Sequence, residues 1–244
     1  MAIDILSAGD TAFTVQFGMG VDRAVNARVM ALHKAIAEAR HNGQLAGLVE
    51  TVPTFRSLLI HYDPLTTSRA ALEPVVAALA KRATDHASAG RRWRIPVCYE
   101  GDFAPDLDEV AKRCTLTTDE VVALHSGTIF FAYMLGFTPG FAYLGGLPKQ
   151  LSLPRRSEPR LRVPQGSVSI AGEMAAIYPW ESPGGWHLIG RTPIALFDLR
   201  RPAPILWAAG DEAQFFAIER ASYDAIAAQV AAGSFDHAAL EVKK

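Results

Sequence analysis

Between residues 135 and 193 the chain concentrates the residue types that recognise and transform small polar molecules. Arg155, Arg156, Arg160 and Arg162 fall within eight residues, with Pro154, Pro159 and Pro164 stiffening the backbone around them. Forked guanidinium donors on stiff segments suit a carboxylate or a phosphate. Arg160 and Arg162 are favoured for contact with a ligand or with another subunit, since rigid prolines stand beside them; for any single arginine, an exposed solvated position is the ordinary alternative. The segment SPGGWHLIGRTP sets His187 beside Trp186 after a Gly-Gly turn, with Arg191 four residues further on. In an unbroken strand, positions 187 and 191 share a face, so a proton-exchanging imidazole would stand beside an anion-holding arginine. Glu173, in IAGEM, is the carboxylate candidate for a base. The competing readings are a hydrogen-bonding structural role for His187 and an exposed turn position for Glu173. Phe137, Phe141, Tyr143, Tyr178, Trp180 and Trp186 supply an aromatic pocket wall or the core of a subunit interface. The predicted catalytic residues are therefore His187 and Glu173. The predicted binding set is Arg155, Arg160, Arg162, Arg191, Tyr143 and Trp186, with no metal ligand.

Glycine opens backbone angles closed to other residues and proline fixes φ, so loops this rich in both read as a preorganised surface. A tightly curved barrel also needs corner glycines. The sequence contains no phosphate-binding loop, no GxGxxG after a strand, no HExxH, no GxSxG elbow and no cysteine zinc site. With 24 Lys plus Arg against 25 Asp plus Glu, the formal net charge of -1 offers no global attraction to nucleic acid or an anionic membrane. Cys98 and Cys114 lack metal-ligand spacing and read as free thiols in a reducing compartment. MAIDILSAGD does not resemble a signal peptide. The longest strongly apolar run, 129–137, falls far short of the ~20 residues of a membrane helix. A cytoplasmic protein without a membrane span is expected.

These residues need a scaffold, and 244 residues with 50% hydrophobic content supply core for one large or two modest domains. Alternation of Phe13, Val15 and Phe17 predicts a strand over 11–17. Val25, Val29, Leu32 and Ile36, followed by Gly43, predict a helix over 21–40. Strands over 47–52 and 57–62 and an alanine-rich helix over 66–86 follow, with Pro74 opening or kinking that helix. This makes a β-α-β-β-α unit. The polar stretch 84–92 reads as a linker, with domains over 1–89 and 90–244. Beyond it come a strand over 93–99 and helices over 106–113 and 118–125, the second opened by a capping box of Thr117 and Glu120. Strands over 128–135, 167–171, 175–178, 187–190, 194–197 and 214–218 indicate a small barrel or sandwich. A last helix over 222–232 ends at Gly233.

The segments GDTAFTVQFG (9–18), VPTFRSLLIHYDP (52–64), LGFTPGFAYLGGLP (135–148) and PRLRVPQGSVSIAGEMAAIYPWESPGGWHLIGRTP (159–193) carry a resemblance over nearly the whole chain. In this order they resemble the KipI-type family, also called allophanate hydrolase subunit 1-like, which includes the B-type subunit of bacterial 5-oxoprolinase. The resemblance implies an α+β protein: a small N-terminal α/β domain followed by a cyclophilin-like β-barrel domain. It further implies ATP, with Mg, and cleavage of 5-oxo-L-proline to L-glutamate together with a second barrel-containing subunit. That partner would be allophanate hydrolase subunit 2-like, or similar to the C-type subunit of 5-oxoprolinase, with a third component usually assisting. A lactam is a poor electrophile, so phosphorylation of its oxygen would precede ring opening, with the arginines holding anions and His187 moving a proton. Two other functions share the resemblance: inhibition of a sporulation histidine kinase, and a subunit role in urea or allophanate metabolism near the biotin-dependent carboxylases. A partner-facing surface left bare predicts self-association of the isolated chain.

Overall fold

The computed structural model describes residues 3–82 and 90–242, in two compact units, Met1–Ala89 and Gly90–Lys244. The linker expected at 84–92 lies mostly outside the described residues. No helix among the described residues is long and apolar enough to cross a membrane.

The first unit runs β1 (Asp4–Ser7), β2 (Ala12–Gln16), α1 (Arg23–His41), β3 (Leu48–Pro53), β4 (Ser57–Tyr62) and α2 (Arg69–Arg82). Its strands form an antiparallel sheet in the order β1-β2-β4-β3. Period-two alternation turns Phe13, Val15, Leu58 and Ile60 to one buried face. Val29, Leu32 and Ile36 of α1 and Leu72, Val76 and Ala80 of α2 complete that core. The Asp22 carboxylate caps α1 by accepting from the amides of Ala24 and Val25. Pro74 sits inside α2, so the helix begins before it and that turn lacks one amide donor. Strand β1 was not expected: DILS is a short, largely exposed edge strand without apolar alternation.

The second unit contains β5 (Arg92–Val97), α3 (Leu107–Cys114), α4 (Thr118–Ser126), β6 (Ile129–Leu135), β7 (Ala142–Gly145), β8 (Arg160–Val163), β9 (Ser167–Ala171), β10 (Met174–Ile177), β11 (Ser182–Gly184), β12 (His187–Arg191), β13 (Glu212–Ala217) and α5 (Arg220–Ala232). Seven strands pair in the order β12-β9-β10-β7-β6-β13-β5, with β13 and β5 parallel. The two outer strands then meet: the Cys98 amide donates to the Arg191 carbonyl at 2.8 Å and the Arg191 amide to the Cys98 carbonyl at 2.9 Å, closing the sheet into a barrel. Gly190 permits this approach, because a Cβ there would stand 2.6 Å from Val97 Cγ1. Val168, Ile170, Ala175, Ile177 and Ile189 point into the barrel core. Their neighbours Ala171, Ala176, Trp186 and Leu188 point outward, into a second apolar cluster with Phe141 and Tyr178.

The strand expected at 194–197 is a loop held by one isolated bridge, Phe197 to Ile205. Ile194 and Leu196 alternate because they plug the core, and the Arg201 guanidinium braces the loop by donating to the Ala195 and Pro204 carbonyls. The β8–β11 ribbon was also missed, because its strands are only four and three residues long and carry no apolar alternation facing a core. The capping box at Thr117 and Glu120 is present.

At the end of α4, His125 is fully buried and stacks on Phe215 with ring centroids 4.5 Å apart. The Tyr99 hydroxyl lies 2.8 Å from its Nδ1. Burial pulls the imidazole from 6.5 down to about 3. Between those values the unfolded chain binds a proton that the folded chain refuses. This contribution to stability is complete above the unfolded pKa and is lost as pH falls toward the folded one, by about 1.4 kcal/mol per pH unit at most. Urea unfolding between about pH 6 and pH 4 is expected to show a slope lower by close to one proton in His125→Gln than in the parent. Identical slopes would remove His125 from the acid response.

Candidate functional site

A short strap before β8 is fixed at three points. The Gly172 amide donates to the Leu153 carbonyl at 2.6 Å and the Arg156 amide to the Gly185 carbonyl at 2.8 Å. Between them, Nε2 of the buried His187 lies 3.0 Å from the Pro154 carbonyl and so carries the donated hydrogen. The strap displays the exposed Arg155 with its guanidinium carbon 5.8 Å from the centre of the Trp186 ring.

Arg155 stands at the mouth of a cleft of about 110 Å³, walled by Phe137, Phe141, Tyr143, Tyr178 and Trp186. The rings meet edge to face, Phe141 against Tyr143 at 5.0 Å and against Tyr178 at 5.4 Å, the arrangement that ring quadrupoles favour. Phe137 forms the rim, 58% exposed and held at φ 67. This volume is well below the ~300–1,000 Å³ of pockets for drug-sized ligands and suits a small ring bearing one anionic group. Burial pushes the Tyr178 phenol upward, so its hydroxyl keeps its proton near neutrality.

Beneath the strap, Asp106 is a hub. It immediately precedes α3, yet its carboxylate makes no helix cap. It accepts instead from Arg156 at 3.1 Å, Arg160 at 2.6 Å and the Leu188 amide at 2.7 Å, while its own amide donates to the Leu188 carbonyl at 3.0 Å. With Asp106 only 3% exposed, these bonds tie α3, the strap, β8 and β12 together.

Of the eight predicted residues, the structure gathers Arg155, Tyr143 and Trp186 in the cleft. Arg160 and His187 lie in its support. Arg162 stands apart on the β8–β11 ribbon, 79% exposed and paired with Glu181 at 2.9 Å. Glu173 occupies the exposed two-residue turn between β9 and β10. The expectation that His187 and Arg191 share a face is corrected. Between Leu188 and Gly190 the register with β9 shifts, so His187 pairs with Ile170 and Arg191 with Ser167. Partners an odd number apart lie on opposite faces, because a bulge adds a residue to one strand only. The Arg191 guanidinium accordingly lies over Phe103, 4.7 Å from its centroid.

One important residue escaped the sequence, and another was read only in part. Asp106 is separated from its arginines by 50 and 54 positions, and no local motif announces that pairing. Tyr178 was visible as one aromatic among six, with nothing to mark its hydroxyl.

Residues 3–207 match the family described as carboxyltransferase domain, subdomain C and D. The chain is 40% identical over 228 residues to the B subunit of Bacillus subtilis 5-oxoprolinase, covering 89% of this chain and 93% of that protein. The solved protein TTHA0988 is 38% identical with a TM-score of 0.75 over 85% of this chain. This chain spans only 40% of that longer polypeptide. The Kluyveromyces lactis urea carboxylase has the same fold, with a TM-score of 0.75 at 21% identity over 96% of this chain and 23% of that one.

Proposed function

This chain belongs to the family of carboxyltransferase-domain C and D subdomains, and from that premise we propose that it is the B-type subunit of a complex that cleaves 5-oxo-L-proline to L-glutamate with consumption of ATP. The likeness to the Bacillus subtilis 5-oxoprolinase B subunit over nearly both chains supports the reading. The single structural observation that carries it is Arg155 over Trp186 at the mouth of the aromatic cleft. Arg155 is the one arginine of the four that has no carboxylate partner among the described residues. 5-Oxoproline is a small ring with a carboxylate on one side and a lactam oxygen on the other. Its carboxylate would take the guanidinium fork, and its ring would lie among Phe141, Tyr143 and Trp186.

Neither of two clefts among the described residues fits a nucleoside triphosphate. Arg156 and Arg160 are committed to Asp106, and Arg162 to Glu181. The aromatic cleft is too small, and the broader one of about 310 Å³ carries Glu100, Asp119 and Glu219, which repel phosphates. Among the described residues no group of three or more His, Cys, Asp or Glu side chains is placed to hold a metal ion. We therefore assign ATP and its metal to the assembled complex and the lactam to this chain. A second component agrees with TTHA0988, where a match to this chain takes up two fifths of a polypeptide that continues beyond it.

In this reading His187 acts through the Pro154 carbonyl and is a positioning residue for Arg155, and it does not itself transfer protons to the substrate. His187→Gln keeps a donor for that carbonyl and is expected to retain turnover within about threefold, whereas His187→Leu is expected to raise KM about tenfold. Loss of kcat in both variants would return His187 to proton transfer.

The family's carboxyltransferase description favours a second reading, a urea-metabolism subunit with a neutral amide as carboxyl acceptor. Both readings are separated by producing the chain with the products of its neighbouring genes and following glutamate release from 5-oxoproline and ATP, with each component alone as control. Release that requires this chain is expected. No release from the full set, with urea consumed instead, would establish the second reading and exclude the first.

A further inference from the structure

Tyr178 is 2% exposed, yet it forms part of the wall of the aromatic cleft. Its ring is held edge-on by Phe141 at 5.4 Å and Phe137 at 6.4 Å. The oxygen sits over the backbone of Gly184, where any Cβ would collide with it. Among the described residues no side-chain hydrogen bond engages this hydroxyl. Arg155 lies across the same cleft and is exposed to solvent. A hydroxyl fixed by packing beside a cleft, with its hydrogen unspent, is a donor available to a ligand.

We propose that the Tyr178 hydroxyl donates a hydrogen bond to the lactam oxygen of the bound ring while Arg155 holds the carboxylate at the opposite side. This rests on the 5-oxoproline reading above and adds the group that recognises the amide. A fixed donor at that oxygen sets the orientation of the lactam in the cleft before the assembled complex acts on it. Burial, the largest influence on this phenol, holds the proton in place, and Tyr178 polarises the oxygen without transferring that proton. Gly184 becomes part of the same device, because only a residue without a side chain leaves room for the phenol oxygen.

The test compares two ligands on the assembled complex. Cyclopentanecarboxylate has the ring and the carboxylate of 5-oxoproline but no lactam oxygen. In Tyr178→Phe, affinity for 5-oxoproline is expected to fall about tenfold, as for one hydrogen bond, while cyclopentanecarboxylate binding stays within about twofold. Turnover measured as kcat/KM is expected to fall about tenfold with it, the scale of one lost hydrogen bond. Gly184→Ala, which displaces the phenol without deleting it, is expected to give the same ligand-selective loss. Equal loss of both ligands, or no loss of either, would overturn the role of Tyr178 while leaving the 5-oxoproline reading intact. Failure of the parent complex to bind either ligand would overturn that reading and this inference together.

Discussion

Replacing Asp106 with alanine is expected to destabilise the barrel unit by about 3–5 kcal/mol, the usual consequence of removing one partner from a buried ion pair. The carboxylate joins two guanidinium groups and a strand amide in a place almost closed to water. Without it, the Leu188 amide and the two arginines lose their shared acceptor. Arg156 Nε and Arg160 Nη1 already lack partners among the described residues, so neither guanidinium has a ready substitute. Glu109 supplies the internal control: it also meets Arg156, at 3.4 Å, but is 49% exposed. Glu109→Ala is therefore expected to change stability by less than about 1 kcal/mol. Urea unfolding of both variants measures the contrast, and a change in Asp106→Ala as small as that in Glu109→Ala would remove the hub from the account.

The largest effect on activity is expected at Arg155. Arg155→Met keeps much of the apolar stem over Trp186 but removes the charged fork. In the assembled complex its KM for 5-oxoproline is expected to rise about 10- to 100-fold, the equivalent of a charge-assisted hydrogen bond of about 1.5–3 kcal/mol, with kcat within a few-fold. A contact made equally in the ground and transition states affects binding alone, which gives this signature. Arg155→Lys retains the charge without the planar fork and should fall between the two. Because Arg155 touches neither Asp106 nor the barrel core, its variants should unfold like the parent. Unchanged KM in Arg155→Met would mean that the substrate carboxylate is held elsewhere.

The sequence disclosed the fold where burial imposes a period. Phe13 and Val15 and the 3.6-residue stripe of α1 carry such a period, because each has one side against a core, while the runs at 129–135 and 167–171 were legible as short apolar or β-branched stretches. It misled where another cause mimics that period: Ile194 and Leu196 alternate as loop plugs. It was silent at strands only three or four residues long such as β1, β7 and the β8–β11 ribbon. For the site, density of Arg, Gly, Pro and aromatics located the right segment, and Arg155, Tyr143 and Trp186 do meet. What each arginine does was illegible, because Asp106 and Glu181, which engage three of them, lie far off or across a ribbon. The relation of His187 to Arg191 was inverted by one bulged residue, a feature set by the closing of the barrel and invisible in strand spacing.

A crystal structure of the assembled complex with 5-oxoproline tests the central claim most directly. The ring is expected against Trp186 and Phe141, with its carboxylate in the fork of Arg155 and its lactam oxygen toward Tyr178. A ring bound at another surface, with this cleft filled by a side chain of the second subunit, would contradict it.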